Sequence, residues 1–365
     1  MTFDCTVAPD PHFLEGSQGS VKRFAVFLVA LATCAAASFP AAAAQQAPQP
    51  GAVTVSLGTM ETVLSDYSLD AKAALNTLDQ ARSGYRDKKE WGEITQADRD
   101  TLSAAELTYR DTFRHLVLSA KRQYLTYCAD SSLLSADEAA AQNARAQLET
   151  DAAMLRQGYL SQNAYNESLE NSQKLDAAAR AQDTKVTQGR KTLRTLLNIP
   201  ANVDMQILQP ADSEMNFSGI PALKYGEDLI EMKRANDSIR IDSMNYATVR
   251  KEIASSDEQI ENAQIKLTQT EQTQTTAFRS LYDTLQNSYR TYGQELEQVA
   301  RREREAEAQE RQLALGYISR RQYDDAVSAL RNLRCQREAD RNALYLSLLQ
   351  YQDMKAGISA AGSQA

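Results

Sequence analysis

The sequence predicts an all-α fold made of duplicated, long antiparallel helical hairpins of the coiled-coil, α-barrel type. Three observations carry this. The tetrapeptide GYLS at 158–161 returns as GYIS at 316–319. The offset 316 − 158 = 158 residues also pairs Leu155 with Leu313, Tyr165 with Tyr323 and Tyr124 with Tyr282, the mark of an internal duplication. Apolar residues before the second copy, Tyr282, Leu285, Tyr289, Tyr292, Leu296 and Val299, are spaced three and four apart as a heptad seam.

The elements follow in chain order. Lys22 and Arg23 precede the apolar run FAVFLVALATCAAASF, and Ala42 to Ala44 supply a small-residue cleavage pattern. Residues 1–44 are therefore expected to be a secretory signal region cleaved after Ala44. The acids Asp4, Asp10 and Glu15 suit no signal n-region, which places the expected true start at Val21. Cys34 follows Thr33 and makes a poor lipidation site. Residues 45–56 read as a linker, 57–200 as the first helical repeat, and 225–358 as the second. Between the repeats, 201–224 reads as a connector broken by Pro210 and Pro221, in which VDMQIL is one short strand. No other strand is expected, and 359–365 reads as a disordered tail.

Within the first repeat a looser seam runs through Leu102, Ala105, Tyr109, Phe113, Leu116 and Ala120. The stretch from Leu102 to Gly158 covers 158 − 102 = 56 residues, about 84 Å of helix. A rod of that length must bury its seam against neighbours. At each end of the rod a turn is needed. Gly158 and Gly316 can adopt positive φ and stop one helix, and Ser161 and Ser319 can cap the next. Nothing in such a turn requires Tyr159 or Tyr317, which favours recognition over a plain connector. At the opposite end only short links, KKEWGEITQAD at 88–98 and ASSDE at 254–258, join the long helices to their predecessors.

Composition narrows the function classes. The net charge of −8 and pI near 5.1 argue against a nucleic-acid footprint. The chain is 42% hydrophobic and 24% charged, so it folds. No phosphate loop, nucleophile elbow or HExxH motif is present, and His115 reads as a seam or surface residue, so no catalysis, cofactor or metal is expected. Carboxylates such as those in RREREAEAQER at 301–311 read as a solvated helix face. If the two turns stand level, Cys128 and Cys335 differ by roughly 16 Å in height, so two free thiols are expected.

The doubled tip, its spacing and the phrase LRTLLNIP at 193–200 resemble the TolC family of outer membrane efflux proteins, over about residues 55–357. The resemblance implies a homotrimeric helical tube in the periplasmic or extracytoplasmic envelope. Its tips, Gly158, Tyr159, Leu160, Ser161, Gly316, Tyr317, Ile318 and Ser319, would dock a membrane fusion (adaptor) protein linked to an inner-membrane pump such as an ABC transporter. It also implies acids near the entrance, for which Glu167 and Asp325 stand nine residues past each glycine. The position six past each glycine, often Asp in the family, is Ala164 in one copy and Gln322 in the other. The family's membrane strands have no counterpart in the short links, so no membrane-spanning barrel is expected of this chain alone, and attachment to an outer membrane would need a partner or anchor. A coiled-coil scaffold or spacer of the envelope is the alternative. A lipid-binding bundle fits a mean hydropathy of −0.51 least well.

Overall fold

A computed structural model describes residues 52–252 and 255–360. The expected signal region lies outside the described residues. The chain opens with a strand β1 (Ala52–Val55) and helices α1 (Met60–Tyr67), α2 (Leu69–Glu90), α3 (Gln96–Arg156) and α4 (Gln162–Leu197). Strand β2 (Asp204–Ile207) and two short 3₁₀ turns follow, then α5 (Tyr225–Ala235), α6 (Asp237–Lys251), α7 (Asp257–Ala314) and α8 (Arg320–Lys355). Helices α3 and α7 contain 61 and 58 residues, about 90 Å each.

Local chemistry starts these rods. Thr95 Oγ1 accepts the Asp98 N–H at 3.2 Å, and Asp98 Oδ2 accepts the Thr95 N–H at 2.9 Å, a reciprocal cap that opens α3. Lys88, from the end of α2, also bonds Asp98, and this contact chiefly holds the Asp98 carboxyl well below its usual range. Ser256 and Gln259 cap α7 in the same way.

The strand expected within VDMQIL is present, but the absence of others is corrected. Residues 52–55, read as linker, pair in parallel with β2 in the register Ala52 to Asp204 through Val55 to Ile207. AVTV is rich in β-branched residues, yet its partner lies about 150 residues away, beyond the reach of any local pattern. The sheet closes a core in which Val55, Leu64, Ala120, Tyr124, Leu193 and Leu197 are completely buried. Tyr124 donates its hydroxyl to Leu208 O at 2.6 Å. A second core joins Ile220, Met232, Phe278, Leu285, Leu344 and Tyr351.

The seams need two adjustments. On α7, Val299 and Leu285 are buried, but Leu296 is 42% exposed and Phe278, outside the expected seam, is fully buried. On α3, Ala120 is buried while Leu102, Ala105, Tyr109, Phe113 and Leu116 are only half-buried; Leu107, Asp111, Val117, Tyr124 and Cys128 lie deeper. The reason is geometric. Helix α3 packs against α2, α4, α6 and α8 at different heights, so no single 3-4 stripe stays inside.

The tail reading is corrected at its start. Gly357 carries φ +107 and turns the chain back. The Asp237 N–H donates to Gly357 O at 2.7 Å, the Ser359 N–H to Asp111 Oδ1 at 2.6 Å, and the Ala360 N–H to Gln274 Oε1 at 2.9 Å. Residues 357–360 thus strap α3, α6 and α7 together. His115 sits beside the strap, and its hydrogen bond to Asp111 is the main cause that raises its pKa.

Cys128 and Cys335 are both free, but the expected 16 Å separation is wrong. Asn342 Nδ2 donates to Leu125 O at 3.3 Å, and the Cys335 thiol contacts Ser132 O at 3.7 Å. Cys335 therefore stands one turn, about 6 Å, along α3 from Cys128. Leu125 is 158 − 125 = 33 residues from its glycine and Asn342 is 342 − 316 = 26 from its own. The hairpins are slid along each other by about 10 Å rather than level by contact. Burial pushes the Cys128 thiol up to about 12, which makes it inert.

The two hairpins differ in one half-buried pair. In the first, Gln182 Nε2 donates to Asp130 Oδ1 at 2.9 Å. The position 158 residues on from Gln182 is Asp340, which faces Glu295. Burial first, and then Asp340, push the Glu295 carboxyl up from 4.5 to about 7. A folded-state value above the unfolded one means that stability falls as pH rises from 4.5 to 7 and stays reduced above it. Glu295→Gln is expected to add about 1 kcal/mol at pH 8, after allowance for solvent screening, and nothing at pH 4. Urea unfolding of both proteins at the two pH values checks this; an equal shift at both would refute it.

Candidate docking tips

Both GY(L/I)S segments close their hairpins by the same mechanism. The Tyr159 N–H donates to Met154 O at 2.9 Å and the Gly158 N–H to Leu155 O at 3.0 Å; Tyr317 and Gly316 do the same to Gln312 and Leu313 at 2.9 and 3.0 Å. This paired pattern satisfies the last carbonyls of α3 and α7 and requires a left-handed residue, supplied by Gly158 and Gly316, each at φ +77. Ser161 Oγ then accepts the Ala164 N–H at 3.2 Å, and Ser319 Oγ accepts the Gln322 N–H at 3.3 Å. Gln322 completes a reciprocal cap by accepting the Ser319 N–H at 2.9 Å, which gives this departure from the family pattern a structural purpose.

The turns place their side chains unequally. Leu160 and Ile318 are half-buried, whereas Tyr159 and Tyr317 are 80% and 77% exposed. Neither tyrosine contributes to the chain's own cores, so each ring is left facing solvent. Sequence reasoning missed Leu315, exposed on the second tip, whose counterpart on the first is Gln157. Its helical position read as ordinary; only the turn geometry turns it outward. Behind the second tip, Arg320 lies over the Tyr323 ring at 5.6 Å and holds Asp324 at 3.0 Å.

The two candidate entrance acids are both exposed and do not share a site within the chain. Asp325 lines a groove of about 230 Å³ between α3, α4 and α8 with Asn143, Gln147, Ser168, Asn171 and Arg321, and Glu167 is not part of it. A buried acid that the sequence did not flag lies nearby. Asp151, fully inside α3, accepts Gln147 Nε2 at 2.7 Å and the Ser168 hydroxyl, which ties the two arms of the first hairpin together near its tip.

At the far end the links are short. Residues 91–95 join α2 to α3 with Trp91 80% exposed, and 252–256 join α6 to α7. Among the described residues the only strands are β1 and β2, four residues each, against about nine to eleven for a membrane strand. Among them too, no helix is long and apolar enough to cross a membrane.

No protein-family model and no curated protein matches the sequence. Solved structures do match the fold. The chain is similar to CusC, studied for conformational changes accompanying folding and transmembrane channel formation, with a TM-score of 0.61 and 12% identity over 86% of this chain and 96% of that one. It is similar to the CmeC outer membrane channel of Campylobacter jejuni (0.61, 10% identity, 84% and 86%). It is also similar to the outer membrane protein VceC of Vibrio cholerae (0.58, 9% identity, 82% and 96%). Long helices in two hairpins, short links and these likenesses together give the chain the fold of the TolC-like outer membrane efflux channels.

Proposed function

We propose that the protein is an exported helical tube component of a multi-component efflux system, which docks a membrane fusion (adaptor) protein through its hairpin tips. The observation that carries this reading is the exposure of Tyr159 and Tyr317 on two turns of identical backbone geometry. A connector needs the glycine and serine; a binding surface needs the aromatic rings. The adaptor would link the tube to an inner-membrane pump, for example an ABC transporter, and three copies would form the conduit in the extracytoplasmic envelope. The reading assigns no catalytic residue and no cofactor. Attachment to an outer membrane falls to a partner or anchor.

Replacing both Tyr159 and Tyr317 with Ala is expected to weaken adaptor binding about a thousandfold, as for the loss of two interface anchors. The helical circular dichroism should stay unchanged, because the rings are outside both cores. Unchanged affinity for the neighbouring adaptor would refute the docking role.

The five-residue links favour a second reading, a non-transporting scaffold or spacer of the envelope. Projection images discriminate the two: a ring with a central hole supports the conduit, and a solid rod indifferent to the adaptor supports the spacer.

A further inference from the structure

The strap at 357–360 does more than tie helices, for it forms one wall of a half-enclosed cavity of about 190 Å³. Leu118 of α3, Leu281 of α7, Met354 of α8 and Ile358 of the strap supply the apolar lining, and His115, Gln350 and Asp353 the polar lining. The docking tips make no use of this space.

Size, charge and hydrogen bonding say what fits there. A dry cavity of about 150 Å³ holds a benzene-sized molecule, so this one holds a single ring with a small substituent. The ionisable groups of the lining already face opposite partners, Asp353 on Arg114 and His115 on Asp111, so a charged ligand would break into a filled pair. Both Arg114 bonds to Asp353 end on Oδ1, which leaves Oδ2 able to accept a further donor. Behind the strap, Gln274 is completely buried and holds Ala360 through Oε1, while its Nε2 finds no acceptor among the described residues. A hydroxyl, donor and acceptor at once, is the smallest neutral group that answers both.

We propose that this cavity binds a small neutral aromatic alcohol of the phenol type, with the ring among Leu118, Leu281, Met354 and Ile358 and the hydroxyl donating to Asp353 Oδ2. A ring suits the Met354 thioether, which makes favourable contacts with aromatic groups, and it enters without freezing rotatable bonds. Because Ile358 belongs to the wall, ligand binding and closure of the strap reinforce each other. The site belongs to a single chain and depends on neither the tube nor the docking tips.

The test titrates the full mature chain, labelled at its methionine methyl groups, with phenol and follows it by NMR. The Met354 signal, identified by its loss in Met354→Leu, is expected to move saturably, while those of Met205 and Met215 in the other core stay in place. Benzene, which lacks the hydroxyl, should bind about tenfold more weakly. Benzoate and benzylammonium, which carry charge, should bind about a hundredfold more weakly. Ala277→Phe fills the cavity and should abolish the response, with circular dichroism to verify folding; the milder Ala277→Leu should weaken phenol about tenfold. A Met354 signal that phenol leaves unmoved, or moves together with Met205 and Met215, would overturn the site. So would unchanged phenol affinity in Ala277→Leu. Tighter binding of benzoate or benzylammonium than of phenol would overturn the ligand class.

Discussion

Gly357→Ala is expected to lower the stability of the fold by about 4 kcal/mol, more than any change at the tips. Two penalties add. At φ +107 a residue with a Cβ is strained by about 1–3 kcal/mol. The new Cβ would also sit 2.2 Å from Ala235 O and 2.7 Å from Ala235 C, atoms of backbone that no rotamer change can move. Relief requires the strap to lift, which breaks the bond from Asp237 to Gly357 O and releases Ser359 from Asp111 and Ala360 from Gln274. Asp111 and Gln274 are buried, so each loses a hydrogen-bond donor that water does not readily replace. Gly158→Ala provides the contrast. Its φ is +77, but nothing lies within 4 Å of the added carbon, so it should cost only about 1 kcal/mol. Urea unfolding of the two variants side by side checks the prediction, and equal costs would show that the strap contributes no more than an ordinary helix end.

That contrast also marks how far the sequence could be read. The tips were legible because their chemistry is local: a glycine, a serine three residues later and the same phrase repeated suffice to define a turn. The helical class was legible from the 3-4 spacing of Tyr282, Leu285, Tyr289 and Tyr292. What escaped depends on residues distant in the chain. AVTV becomes a strand only because DMQI lies alongside it. Gly357 ends a helix in the sequence, but its importance comes from Ala235. The slide between hairpins is set by side-chain packing of α3 on α8, so a height counted from each turn misplaced Cys335. Leu296 obeyed the heptad spacing and is still 42% exposed, because spacing alone does not say which stretch of a long helix finds a neighbour.

Phe278→Ala is the second large effect and bears on whether one chain holds its own fold. Phe278 is completely buried, with its ring stacked on Tyr351 at a centroid distance of 4.8 Å and on Tyr225 at 6.0 Å. Tyr351 in turn donates its hydroxyl to Asp228 Oδ2 at 2.6 Å, and Lys355 pairs with the same carboxylate at 2.5 Å. Burial raises the Tyr351 hydroxyl pKa, so it remains a donor throughout the working range. Removing the Phe278 ring opens a cavity beneath this network, and the expected cost is about 4 kcal/mol; Phe278→Leu, which refills part of the space, should cost about half as much. Adaptor affinity of the folded fraction should not change, since the core joins α5, α7 and α8 away from both tips. The shafts toward the tips bury few large side chains, Val299 and Leu330 among mostly small or polar ones such as Ala136, Ala141, Ser172 and Gln182, and contribute little stability of their own. If Phe278→Ala cost less than 1 kcal/mol, the second repeat could not be anchored by its core. Its 58-residue helix would then have to be held mainly by contacts between copies, and folding and assembly would be a single event.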